Sequence, residues 1–186
     1  MTVEAITAAP EPVAAEKAQP SAALRWFLLV ARLMLGGIFL YAVFAKINYP
    51  PGNFLSFDLG NWKLALDIFA IAVNGYGVLP DWAVMPVAYG VPMLETVLAL
   101  LLISGIGLRW SATASSALLL FFFALMTRAY LLGMSIDCGC FGPGDTLSMK
   151  TLVRDGLLWL LSFSLACAAF RVHRLSPQRA QSPQRT

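Results

Sequence analysis

Leu24 to Ala45 reads LRWFLLVARLMLGGIFLYAVFA, an apolar run interrupted only by Arg25 and Arg32. As a helix it rises about 33 Å, enough to cross a hydrocarbon core that needs roughly twenty such residues. Three further segments have the same character: Trp82 to Ile103, Ser111 to Leu132 and Leu152 to Phe170. The last is the shortest and spans only if it stands nearly upright. With 59% hydrophobic and 12% charged residues, the 186-residue chain is too apolar for an ordinary soluble domain. These features predict an all-α membrane protein, a four-transmembrane-helix bundle with a short amphipathic interfacial helix between the first two spans.

The formal charge of +3 does not mark a nucleic-acid binder, because the basic residues stand beside apolar segments rather than in an aromatic-laced stripe. Residues 1–23, rich in Ala, Pro and Glu, lack the basic start and early apolar core of a cleavable signal peptide and read as a disordered tail. Residues 24–172 form the transmembrane domain, and 173–186 a basic tail. Arg171, Arg174, Arg179 and Arg185 at the C-terminal end, with no acidic residue among them, predict a cytoplasmic C-terminus. Four spans then put the N-terminus on the same side. Arg25 and the turn containing Arg109 join it there, and the remaining connections face outward.

The connection after the first span has helical periodicity. Gly60, Lys63, Asp67, Ala70 and Asn74 share one face, and Trp62, Leu66, Phe69 and Val73 the other, with Lys63 and Asp67 spaced as an i,i+4 pair. Such a helix either caps the outer end of the bundle or simply anchors the loop. Tyr76, Gly77, Pro80 and Trp82 turn the chain back, and Pro86 and Pro92 predict a bend in the second span. Phe121, Phe122 and Phe123 could line a quinone pocket, although lipid-facing packing is the favoured reading. Trp26 and Trp110 fit interface anchors, and Ser148 an N-cap for the last span.

Asp137-Cys138-Gly139-Cys140-Phe141-Gly142 forms a polar loop between the third and fourth spans. The two cysteines are close enough in sequence for a disulfide, and Gly139 gives the backbone freedom that a tight ring needs. A pair of inert loop residues is the bland alternative. A zinc site is disfavoured, since two cysteines fill half a tetrahedral shell and the lone His173 lies beyond the last apolar run. Cys167 reads as a small buried apolar residue near the other end of its span.

Charges inside spans ask for partners. Counting residues from the helix ends puts Arg32 and Glu95 at matched depth and predicts an intramembrane ion pair between them. Arg128 and Asp155 fall near the opposite surface, where they would flank the cysteine loop. A cation there favours thiolate, while Asp137, next to Cys138, opposes it.

Arg32-Leu33-Met34-Leu35-Gly36 through Phe39 to Lys46, then Tyr76 with Leu79-Pro80, Pro92-Met93-Leu94-Glu95, and the cysteine motif before the last span together resemble the DoxX-like membrane proteins, most closely their methylamine-utilisation MauE branch. The likeness runs from about Leu24 to Phe170. It implies a four-helix bundle in the bacterial cytoplasmic (inner) membrane that supports oxidative maturation of extracytoplasmic proteins, including methylamine dehydrogenase, beside a periplasmic thioredoxin-like or other disulfide-containing partner. It also implies a redox role for Cys138 and Cys140 and structural roles for Arg32, Lys46 and Glu95. Three functions follow: a thiol–disulfide oxidoreductase or accessory with Cys138 as the attacking residue, a non-enzymatic assembly subunit whose disulfide shapes the loop, and a quinone-linked oxidoreductase subunit.

Overall fold

The computed structural model describes residues 21–48, 61–141 and 145–175, the last three by backbone alone, so Gly60 and the side chain of His173 lie outside the described residues. Among the described residues five helices follow one another: α1 (Ala22–Ile47), α2 (Trp62–Gly75), α3 (Asp81–Ser104), α4 (Leu108–Leu131) and α5 (Met149–Leu175). Four are long and apolar enough to cross a membrane: α1, α3, α4 and Met149–Val172 of α5. The expected spans are therefore present, each a little longer than hydropathy suggests. The fourth differs most, because the Ser148 cap starts the helix three residues before the apolar run. Ser148 Oγ accepts from Thr151 N at 3.4 Å, and Thr151 Oγ1 accepts in return from Ser148 N at 2.8 Å. Ser21 caps α1 in the same way, accepting from Leu24 N at 3.3 Å.

The helix α3 passes through Pro86 and Pro92 without ending. It stops at Gly105, whose φ of 75° is the left-handed conformation that a non-glycine residue resists. A side chain there would also collide with the Arg32 guanidinium.

Packing is most extensive between α4 and α5 and between α1 and α3. The second seam is tight because Gly36 has no side chain. A Cβ at that position would lie 2.6 Å from Ile103 Cγ1 and 3.3 Å from the Ala99 carbonyl oxygen. Leu35, Phe39, Ala99, Leu102, Ala112 and Leu165 form the core of this half of the bundle. Van der Waals packing of such small and branched residues holds helices together where lipid supplies no hydrophobic drive.

The short helix α2 packs on α3 and α1 at the end of the bundle nearer the cysteine loop. Leu66 and Phe69 are buried as its pattern predicts, but Ala70, assigned to the polar face, is buried too, against Val84 and Ala88 of α3. A methyl group is small enough to join either face, and the neighbouring helix decides. Ile71 and Leu64 remain exposed. Lys63 lies over the Trp62 ring at 5.6 Å rather than pairing with Asp67.

Candidate thiol site

The cysteine loop leaves α4 through Gly133, with φ 66°, and its two limbs are tied by Leu147 N donating to Ile136 O at 3.1 Å and Cys138 N donating to Asp145 O at 2.9 Å. Asp137 and Thr146 face each other between these bonds as an isolated antiparallel bridge. Gly139 then turns with φ 71°, and its missing side chain lets the loop lie on α2, where a Cβ would come within 3.2 Å of the Phe69 ring. Tyr76, at the end of α2, donates its hydroxyl proton to Cys138 O at 2.9 Å. The loop is thus built onto the bundle.

Two cations grip it. Lys46, in the last turn of α1 and only 3% exposed, donates at 2.9 Å to both carboxylate oxygens of Glu95 and to the carbonyl of Cys140. Those three bonds use every proton of its ammonium group. From α5, Arg154 donates to Asp145 at 2.9 Å and to Asp155 at 3.0 Å, lies 4.4 Å from the Phe141 ring, and brings Nη2 to 3.9 Å from Cys138 Sγ. The Phe141 ring also meets Tyr41 of α1, with ring centroids 5.8 Å apart.

The expected ion pair between Arg32 and Glu95 is not formed, since Glu95 belongs to Lys46. Depth counting assumes that helix ends are level, but the contact of Gly36 with Ala99 and Ile103 sets a different register. In that register Arg32, one turn before Gly36, meets Gly105, and Lys46 meets Glu95. The Nε of Arg32 is buried without a hydrogen-bond partner. Arg128 donates to the carbonyl of Tyr76 at 3.3 Å and so fixes the corner between α2 and α3. Asp155 reaches the site through Arg154, with its second oxygen buried and unpartnered. Asp145 and Arg154, which contact Cys138 directly, escaped the sequence reading. Arg154 carried a usable signal, an ionisable residue inside a span next to the cysteine loop.

Both loop cysteines are free thiols. Cys138 is 4% exposed, whereas Cys140 keeps part of its surface. The Cys138 thiol donates to an Asp145 carboxylate oxygen at 3.3 Å, and the Cys140 thiol to the Cys138 carbonyl at 3.8 Å. The neighbouring Cys140 thiol pulls the Cys138 pKa below its ordinary value, against burial and the Asp145 carboxylate. The Cys140 pKa is pushed well up by its interaction with Cys138, by burial and by the charge that Cys138 would carry. Burial likewise raises Tyr76, with smaller contributions from Cys140, Cys138 and Asp155. The environment thus pushes the two thiols in opposite directions, Cys138 toward easier ionisation and Cys140 away from it. Cys167 is exposed rather than buried as expected, on the outer side of α5 beside Phe163 and Arg171.

No solved structure matches the chain. The methylamine utilization protein MauE of Paracoccus denitrificans is 29% identical over 143 residues, covering 75% of this chain and 68% of that protein. The family model for methylamine utilisation protein MauE matches residues 24–170, which take in all four spans and the cysteine loop. Agreement over so much of the chain makes it a member of the MauE family.

Proposed function

We propose that the chain is a membrane thiol–disulfide oxidoreductase that supports oxidative maturation of extracytoplasmic proteins, as a methylamine-utilisation accessory. The placement of Cys138 and Cys140 in a loop gripped by Lys46 and Arg154, with Arg154 Nη2 3.9 Å from Cys138 Sγ, is the observation that carries this reading. In the oxidising direction a partner thiolate attacks the sulfur of Cys140 in the loop disulfide. The sulfur of Cys138 leaves as the better-stabilised thiolate. A second partner thiol then displaces Cys140, so the partner gains the disulfide and the loop keeps both electrons as a dithiol.

The loop belongs on the extracytoplasmic side of the inner membrane, with both termini cytoplasmic. Arg25, Arg109 and Arg171 support this orientation, since all three lie at the end of the bundle opposite the loop. Disulfides persist in the compartment that this orientation gives them.

The test is trapping in cells. In a Cys167→Ser background, Cys138→Ser should capture a periplasmic partner as a mixed disulfide through Cys140, and the further change Cys140→Ser should abolish the adduct. Normal partner maturation by the double serine variant would sink the oxidoreductase reading and favour a non-enzymatic assembly role.

A further inference from the structure

Asp155 is buried in α5 with half of its carboxyl group unused. Its Oδ1 accepts from Arg154 Nε at 3.0 Å, while Oδ2 is buried and has no hydrogen-bond partner. A carboxyl oxygen enclosed in this way asks for a water or a proton. Room for a water lies beside it, since all four spans and the cysteine loop meet around a cavity of about 40 Å³. Leu35 and Ala42 of α1 and Met126 of α4 are among its apolar walls, and its ionisable side chains are Glu95, Asp155 and Cys140. A cavity of this size between such groups holds one water. Both oxygens of Glu95 are taken by Lys46, which leaves Asp155 as the carboxyl group that can exchange a proton there. The nearby Tyr76 hydroxyl is committed to the carbonyl of Cys138, and Asp145 is held by Arg154.

We propose that Asp155, acting through one water in this cavity, protonates the sulfur of Cys140 as it leaves a mixed disulfide. The inference rests on the thiol–disulfide reading and adds the source of the proton. When the second partner thiolate displaces Cys140, the bond between Cys140 and the partner breaks and its electron pair stays on the Cys140 sulfur. The neighbouring Cys138 and burial both disfavour an anion there. A thiol of this kind leaves slowly unless a proton arrives with the electrons. Oδ2 gives its proton to the water as the water gives one to the sulfur, and Arg154 holds the carboxylate that remains. The proton released by the second partner thiol returns to Asp155 by way of solvent. The partner is oxidised by two electrons, the loop is reduced by two, and Asp155 ends as it began.

The test isolates this step in full-length Cys138→Ser, Cys167→Ser protein in lipid nanodiscs, where Cys140 is the one cysteine left. Cys140 is first converted to its mixed disulfide with nitrothiobenzoate, and dithiothreitol is the probe. The first dithiothreitol thiol expels nitrothiobenzoate, a leaving group that needs no proton, and the second closes the dithiothreitol ring and expels Cys140. Absorbance follows the first step, and acid quenching with mass spectrometry the second. Asp155→Asn should slow the second step by about tenfold or more and leave the first within about twofold, which also checks that the variant is folded. Asp155→Glu should restore part of the loss. Ala42→Val, which fills the cavity without altering a charge, should likewise slow the second step alone. With Asp155 present the ratio of the second rate to the first should fall as pH rises, because only the protonated carboxyl group donates, and in Asp155→Asn it should stay level. Slowing of both steps alike, or of neither, would overturn the proton relay and leave the thiol–disulfide reading standing. Wild-type loop thiols that react with neither dithionitrobenzoate nor diamide would remove that reading as well.

Discussion

Lys46 and Glu95, from α1 and α3, form a salt bridge at 2.9 Å with their side chains almost completely buried, and the same ammonium group holds the carbonyl of Cys140. One lysine therefore joins two membrane spans and the cysteine loop. Removing either partner strands the other charge in a medium that cannot solvate it. Lys46→Met and Glu95→Leu should each destabilise the protein by about 3–5 kcal/mol, while the double variant recovers most of the loss. Thermal unfolding in detergent would measure this, and simple addition of the two losses would contradict it. Lys46→Met should also speed alkylation of Cys140, because the loop loses its tie to α1.

The carboxylate of Asp145 and the guanidinium of Arg154 act on Cys138 with opposite sign. Asp145→Asn removes a negative charge 3.3 Å from the sulfur and should lower the Cys138 pKa further, raising its alkylation rate at pH values below the wild-type midpoint. Arg154→Gln removes the nearby positive charge and should move the pH profile upward. Iodoacetamide kinetics against pH, followed at Cys138 by mass spectrometry, would reveal both shifts. Movement of both profiles in one direction would show that general loosening of the loop, not charge, governs the thiol.

The neighbouring Cys140 thiol lowers the Cys138 pKa, so Cys140→Ala should raise it. Cys138→Ala should lower that of Cys140, by removing the neighbouring thiol that raises it. The same alkylation measurement applies, with Cys167→Ser in both backgrounds. Unchanged profiles would mean that the two thiols do not communicate.

Gly105→Ala combines two penalties. The left-handed backbone costs about 1–2 kcal/mol for a non-glycine residue, and the new methyl group meets the Arg32 guanidinium. In an Arg32→Leu background only the backbone part should remain, giving a coupling energy between the two sites in a double-mutant cycle of unfolding. Strict additivity would show that Arg32 moves aside without cost.

The helical fold could be read from hydropathy, because a span must be long and apolar whatever it packs against. Helix pairing could not be read as easily. Depth along one helix says nothing about its register against another, and the register here follows from a single close approach at Gly36. This is why Arg32 was matched to Glu95, while Lys46, at the end of a span where lysines ordinarily reach for the interface, turns inward. The cysteine motif was legible because its spacing is local. Its polar partners were not, since Asp145 and Arg154 lie seven and sixteen residues beyond Cys138 and meet it only when α5 folds back on α4. The aromatic run of α4 was half understood. Phe121 faces outward as expected, but Phe122 walls the cavity beside Asp155, and Phe123 packs into the cluster around Met126 and Cys138.

Lys46 and Arg154 hold the loop from different helices, one through the carbonyl of Cys140 and the other through Asp145 and the ring of Phe141. Most of the chain entropy that a free Cys-Gly-Cys peptide would lose on ring closure is thus already lost when the bundle folds. The scaffold, rather than loop diffusion, sets the effective concentration of one thiol at the other. The same peptide cut from the protein would have to search for the arrangement that the four helices hold in place. Its thiols would cyclise more slowly, and the difference in rate would measure what the bundle contributes to the chemistry.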